Sequence, residues 1–168
     1  MENDKFIVYL ASPYGFTDAG REFMKNTMIP GIKQVVSLIL NPWDSFDTVS
    51  LEFEKINSLN DIRKQKDLLR DLNKKIGLEN ENSLKRAQII IAILDGSDVD
   101  SGVASEIGYS YALKKKIISY RSDLRLTGDN QAAGVNLQVE YFIGESGGCI
   151  VTTVPQLKQV LEGSQNSS

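Results

Sequence analysis

The chain has 168 residues, 41% apolar and 24% charged, with a net charge of -3. That is enough for one domain with a buried core, and the charge gives no general attraction to nucleic acid or an anionic membrane. There is no histidine and one cysteine, Cys149, which excludes Ser-His-Asp and Cys-His catalysis, an internal disulfide and the usual ligand set of a catalytic zinc.

Residues 5–11, KFIVYLA, are rich in β-formers and predict a first strand. The loop that follows, 12–18, carries the aromatics Tyr14 and Phe16. In a parallel α/β sheet it lies where ligands bind, at the carboxyl end of the strand. A helix is expected over 19–33, kinked or broken at Pro30, then a second strand over 35–40. Residues 49–77 are polar and helix-forming and predict one or two partly exposed helices. A further short helix is expected over 80–87.

Residues 89–94, IIIAIL, form an unbroken apolar run, the pattern of a strand covered on both faces. An acidic loop with Asp95, Asp98 and Asp100 follows, then a helix with Glu106 early in it. Residues 117–120 predict a fourth strand, 121–134 a long loop, and 135–143 a strand or an apolar docking segment. A short strand over 149–151 and a helix over 154–161 complete the series. The expected domain is 1–162, with 163–168 a flexible tail.

Strands alternating with helices argue for a three-layer α/β/α sandwich, flavodoxin-like, with a mostly parallel sheet of about five strands. No GxGxxG or GxxxxGK[ST] motif is present, so a dinucleotide site or a P-loop is not expected. The N-terminus lacks the pattern of a signal peptide and no apolar run reaches membrane-span length. A cytoplasmic protein is expected.

The chemistry must rest on carboxylates and hydroxyls. Glu106, near a helix start whose partial positive charge favours its ionised form, is a fit nucleophile for an electron-poor carbon such as a sugar anomeric carbon. Asp100 beside it could supply a proton to the leaving group, and Tyr9 could orient the nucleophile. Pattern alone favours a plainer account: Asp98, Asp100 and Ser101 as cap and loop residues, Glu106 as an exposed helix residue.

The segment 100–109, DSGVASEIGY, resembles the signature of the nucleoside 2-deoxyribosyltransferases. The opening strand with Tyr9 and the placement of Asn80 ahead of the central strand are similar as well. The resemblance implies Glu106 as the nucleophile that holds a covalent 2-deoxyribosyl intermediate, Asp100 as the acid at the departing base, and Tyr9 as the tyrosine that positions the nucleophile. It implies a substrate pocket drawing on Tyr14, Phe16, Asn80, Asp95, Ser101 and Gly102. Asn136 matches a residue that relatives contribute from a neighbouring subunit, although Gln138 stands where they often carry Met. The implied reaction is ping-pong exchange of purine or pyrimidine bases between deoxyribonucleosides, without cofactor or metal. The implied partners are deoxynucleosides and free bases, with no nucleic acid and no membrane, in a homo-oligomer with sites near its interfaces. Two rivals remain: an N-glycoside hydrolase of nucleosides or nucleotides, and a non-catalytic nucleoside or nucleotide sensor.

Overall fold

The computed structural model describes residues 5–165. Five strands, β1 (Ile7–Ala11), β2 (Leu38–Leu40), β3 (Ile89–Ile93), β4 (Lys116–Tyr120) and β5 (Cys149–Val151), form one sheet in the order β2-β1-β3-β4-β5. All four pairings are parallel, with Tyr9 opposite Leu40 on one side and Ile90 on the other. This is the expected flavodoxin-like order, whose topological switch lies between β1 and β3.

The period of two along a strand sends alternate residues to opposite faces. Val8, Leu10, Ile89, Ile91 and Ile93 are buried on one face with Met24, Met28, Ile32, Leu157 and Leu161. Those partners come from the wide turn Met24–Met28 that joins helices α1 (Asp18–Phe23) and α2 (Ile29–Lys33), from α2 itself, and from α7 (Val154–Gln165). Tyr9, Ala11, Ile90, Ala92 and Leu94 are buried on the other face. They pack with Leu84 of α4 (Ile62–Arg86), Val103 and Ile107 of α5 (Ser101–Ala112), and Val139 and Ile143 of α6 (Leu137–Glu145). Helix α3 (Phe46–Asn57) completes the second layer beside α4. The alternation therefore turns Tyr9 toward α5. Among the described residues no helix is long and apolar enough to cross a membrane.

Several elements differ from the sequence expectation. The irregularity expected at Pro30 lies just ahead of it, where the Ile29 N–H bonds the Met24 carbonyl across a widened turn. Proline has no N–H and crowds the carbonyl four residues back, and the extra residue in the turn accommodates it. The second strand is confined to Leu38–Leu40, with Val35 and Val36 buried in the turn before it. The one or two helices expected over 49–77 and the short helix expected over 80–87 are distributed otherwise. Helix α4 runs 25 residues through Gly77 to Arg86, started by Asp61, whose side chain accepts from the N–H groups of Arg63 and Lys64. An internal glycine costs about 1 kcal/mol relative to alanine, which does not stop a helix of that length.

The segment 135–143 contains a helix, not a strand. Asn136 caps it, accepting from Gln138 N–H at 3.0 Å and Val139 N–H at 3.4 Å. The Glu140 carboxylate reaches back to the Gly134 N–H at 2.7 Å. Val139 and Ile143 are buried while Leu137 and Tyr141 are exposed, a spacing of four and not of two. At the other end, α7 continues to Gln165 with Ser164 buried, so the expected tail does not begin at 163. Residues 166–168 lie outside the described residues.

Candidate active site

Tyr9 has no exposed surface, and its hydroxyl donates to Glu106 Oε1 at 2.6 Å. The strand supplies the tyrosine and α5 supplies the carboxylate from across the interlayer boundary. Burial dominates the electrostatics. It pushes the Glu106 carboxyl up to about 7, with the negative charge of Asp100 adding to the rise and the Tyr9 hydrogen bond opposing it. Tyr9 is raised well above its ordinary value by burial and then by Glu106, so it stays a neutral donor. The expectation that the helix start holds Glu106 ionised is thereby overturned. Glu106 is the sixth residue of α5, beyond the first turn where the dipole acts strongly, and desolvation outweighs it.

Asp100 starts α5 as its cap, with Oδ1 accepting the Val103 N–H at 3.0 Å. The plain reading of Asp100 as a cap is thus correct, and its charge also reaches Glu106. The two roles are compatible because a cap occupies one carboxylate oxygen.

A cavity of about 530 Å³ lies between α4 and α5. Gly77, Asn80, Glu81 and Leu84 form one wall, and Gly102, Ser105, Glu106 and Tyr109 the other. Each set follows the spacing of one helical stripe. Gly77 has open space where a side chain would stand. A second cavity of about 480 Å³ is walled by Phe16, Trp43, Phe46, Phe53 and Ile76 and shares Asn80 with the first. Phe16 packs edge-on against Trp43 with ring centroids 4.7 Å apart. The Trp43 ring in turn lies over Gly15, where an added Cβ would come within 1.8 Å of it.

The structure brings Tyr9, Glu106, Asp100, Asn80 and Gly102 together and sets Phe16 at the adjoining cavity. Three other expected pocket residues are engaged elsewhere. The Tyr14 hydroxyl donates to Asp95 Oδ2. Asp95 also accepts from Ser122 N–H at 2.6 Å, Ser122 Oγ–H at 2.6 Å and Asp123 N–H at 2.8 Å. Asp95 thus ties the loops after β1, β3 and β4 together, and neither it nor Tyr14 lines the cavity beside Glu106. Asn136 caps α6 and does not line that cavity either. Ser101 is exposed on the first turn of α5.

Sequence reasoning missed Glu81, Ser105, Tyr109 and Trp43. Helical spacing about Asn80 and Glu106 points to the first three once 77–84 is placed on one continuous helix. Nothing in the linear pattern points to Trp43.

A profile of the family described as nucleoside 2-deoxyribosyltransferase matches residues 8–142. The chain belongs to that family. The matched span runs from β1 into α6 and takes in Tyr9, Asn80, Asp100, Glu106 and Asn136. Members of the nucleoside 2-deoxyribosyltransferase family are enzymes of the N-glycosyl transfer type, and so is this protein. No curated protein sequence matches the chain.

Solved structures share the fold. A conserved protein from Enterococcus faecalis V583 superposes with a TM-score of 0.66 at 20% identity, covering 95% of this chain and 99% of its own. A 2-deoxyribosyltransferase from Bacillus psychrosaccharolyticus gives 0.61 at 18% identity, covering 92% and 95%. A 2-deoxyribosyltransferase from Leishmania mexicana gives 0.53 at 21% identity, covering 79% and 84%. At such identities the likeness concerns the architecture alone.

Proposed function

We propose that this nucleoside 2-deoxyribosyltransferase exchanges the base of 2′-deoxyribonucleosides in two steps through an ester on Glu106. The observation that carries the proposal is the buried Tyr9–Glu106 hydrogen bond beside a cavity of about 530 Å³. A Glu106 oxygen attacks the anomeric carbon, the N-glycosidic bond breaks, and its electron pair leaves on the base nitrogen. Asp100 is the group proposed to protonate that nitrogen. A second base then attacks the same carbon through a ring nitrogen, its N–H proton passes to Asp100 and restores the acid, and the ester bond breaks to return the carboxylate. Tyr9 holds the attacking carboxylate in place through one oxygen and leaves the other for the sugar. Desolvation makes the carboxylate reactive once ionised, and a value of about 7 keeps a useful ionised fraction near neutral pH.

The aromatic cavity of Phe16, Trp43, Phe46 and Phe53 joins the carboxylate groove at Asn80, and a planar base could stack there. Purine and pyrimidine deoxynucleosides are the proposed substrates, and salvage of bases in the cytoplasm is the proposed setting.

Incubation with a deoxynucleoside and a different free base tests the proposal. The swapped deoxynucleoside is the expected product, and intact mass spectrometry should find a deoxyribosyl adduct that Glu106→Ala removes. Free deoxyribose formed equally fast without an acceptor base identifies a hydrolase. Exchange at wild-type speed in Glu106→Ala rules out the ester.

A further inference from the structure

Helix α4 leads into β3 and α5 leads into β4, and those strands are parallel. The two helices pack on the same face of the sheet and so run in the same direction. Their register is fixed near the C-terminal ends. The Tyr109 hydroxyl donates to Glu81 Oε1 at 2.9 Å, and the Lys115 ammonium donates to the Ala87 carbonyl. Both bonds join residues 28 positions apart. Carried one turn back from Glu81 and Tyr109, that offset sets Gly77 level with Ser105, the neighbour of Glu106. Gly77, Ser105 and Glu106 all line the cavity of about 530 Å³. The wall across from the proposed nucleophile therefore has no side chain at this level.

Packing does not account for a glycine there. A Cβ added at Gly77 meets no atom within 4 Å. At Gly20 and Gly148, by contrast, an added Cβ would come within 2.3 and 1.7 Å of backbone oxygens. Gly77 also has no left-handed φ, which among the described glycines belongs to Gly96 and Gly147. Inside a helix, glycine is the poorest former after proline, so the position gives up helical stability for no contact within the chain. What it leaves is space on the stripe of α4 that faces the groove. Attack by Glu106 requires the anomeric carbon within bonding reach of its carboxylate. The ring that carries this carbon then lies in the groove at the level of Gly77.

We propose that Gly77 is a specificity-determining residue, whose missing side chain leaves room for the pentose ring of the substrate beside Glu106. The assignment rests on the deoxyribosyl-transfer reading of the same cavity. It sets the helical cost of the glycine against access to the carboxylate, so substitution should improve the fold and impair the reaction at once.

Two measurements test it. The first is kcat/KM for base exchange from 2′-deoxyadenosine, beside urea unfolding of the same variants. Gly77→Ala should lower kcat/KM about 3- to 10-fold and Gly77→Leu about 100-fold or more. The urea midpoints of both should stand at or above that of the wild type. The second reads proximity, which a merely structural glycine would not affect. In a Cys149→Ser, Glu106→Gln background, Gly77→Cys places a thiol on the groove wall, and Lys75→Cys places one at an exposed position outside the lining. Saturating 2′-deoxyadenosine should slow iodoacetamide alkylation of the first thiol about tenfold or more and leave the second unchanged. Wild-type kcat/KM in Gly77→Leu, or alkylation of the Gly77→Cys thiol unslowed while calorimetry shows the nucleoside bound, overturns the assignment to Gly77 and leaves the transferase reading standing. No base exchange by the wild type, together with no binding of the nucleoside, overturns both.

Discussion

At the scale of single residues, the central tension is a carboxylate that must ionise where burial opposes ionisation. The proposed attack requires Glu106 to lose its proton, and its pKa of about 7 places that loss near neutrality. The pH profile of kcat/KM should therefore climb through about pH 7 on its acid limb. The Tyr9 hydrogen bond pulls the Glu106 value down, so Tyr9→Phe should shift the limb to higher pH and lower the plateau by about 10- to 100-fold. An unshifted limb in that variant would mean that the phenol does not stabilise the carboxylate.

The same shift bears on stability. The folded-state value lies above the ordinary 4.5, so between those two values the native state binds more protons than the unfolded chain. Stability from this group is full below the lower value and is lost as pH rises through the upper one. The loss is on the order of 3 kcal/mol. Glu106→Gln escapes it, and urea unfolding should show the variant gaining little at about pH 4 and a few kcal/mol at about pH 8. A gain that did not grow with pH would contradict the burial account. Stability given up at a reactive group is common in active sites.

At the scale of elements, Asp100 joins two duties at one helix terminus. As a cap it satisfies the Val103 N–H, and as a charge it acts on Glu106. Substitution separates them. Asp100→Asn keeps a capping oxygen and should change stability by less than about 0.5 kcal/mol, while Asp100→Ala should cost about 1 kcal/mol. Both remove the proposed proton donor, so both should lose exchange activity by about 100-fold or more. Full activity in Asp100→Asn would reduce the residue to a cap. The neighbouring Asp95 shows the other outcome for an acidic loop residue, since its hydrogen bonds tie three loops together and help hold the ends of β1, β3 and β4 in register beside the site.

At the scale of the whole molecule, the C-terminal part of the chain exposes large apolar groups on two elements. Leu124 and Leu126 protrude from the loop after β4, and Leu137 and Tyr141 from α6. Tyr141 also packs edge-on with Tyr111 of α5 at 6.2 Å. A homo-oligomer formed over these groups is the expected state, and light scattering should report a mass above that of one chain. Leu137→Asp with Tyr141→Asp should lower the mass, and a loss of exchange would follow if a neighbour completes the site. An active wild-type monomer would exclude a shared site.

What could be read from the linear chain follows from which signals are local. The β-forming composition of β1, the apolar run of β3 and the helix after it dictated the architecture, because burial on both faces demands such patterns. The motif 100–109 pointed to Glu106, Asp100 and their family. The run 135–143 misled because a β-rich composition conceals a helix that its Asn136 cap and four-residue burial spacing establish. Sequence by itself thus determined the sheet, its helical cover and the carboxylate proposed to react. Only the tertiary structure decided that burial rather than the helix dipole governs Glu106, that Asp95 and Tyr14 face each other, and that Glu81 and Tyr109 meet across the groove. Those outcomes depend on desolvation and on contacts between residues 28 to 97 positions apart, and neither is encoded in any local stretch of chain.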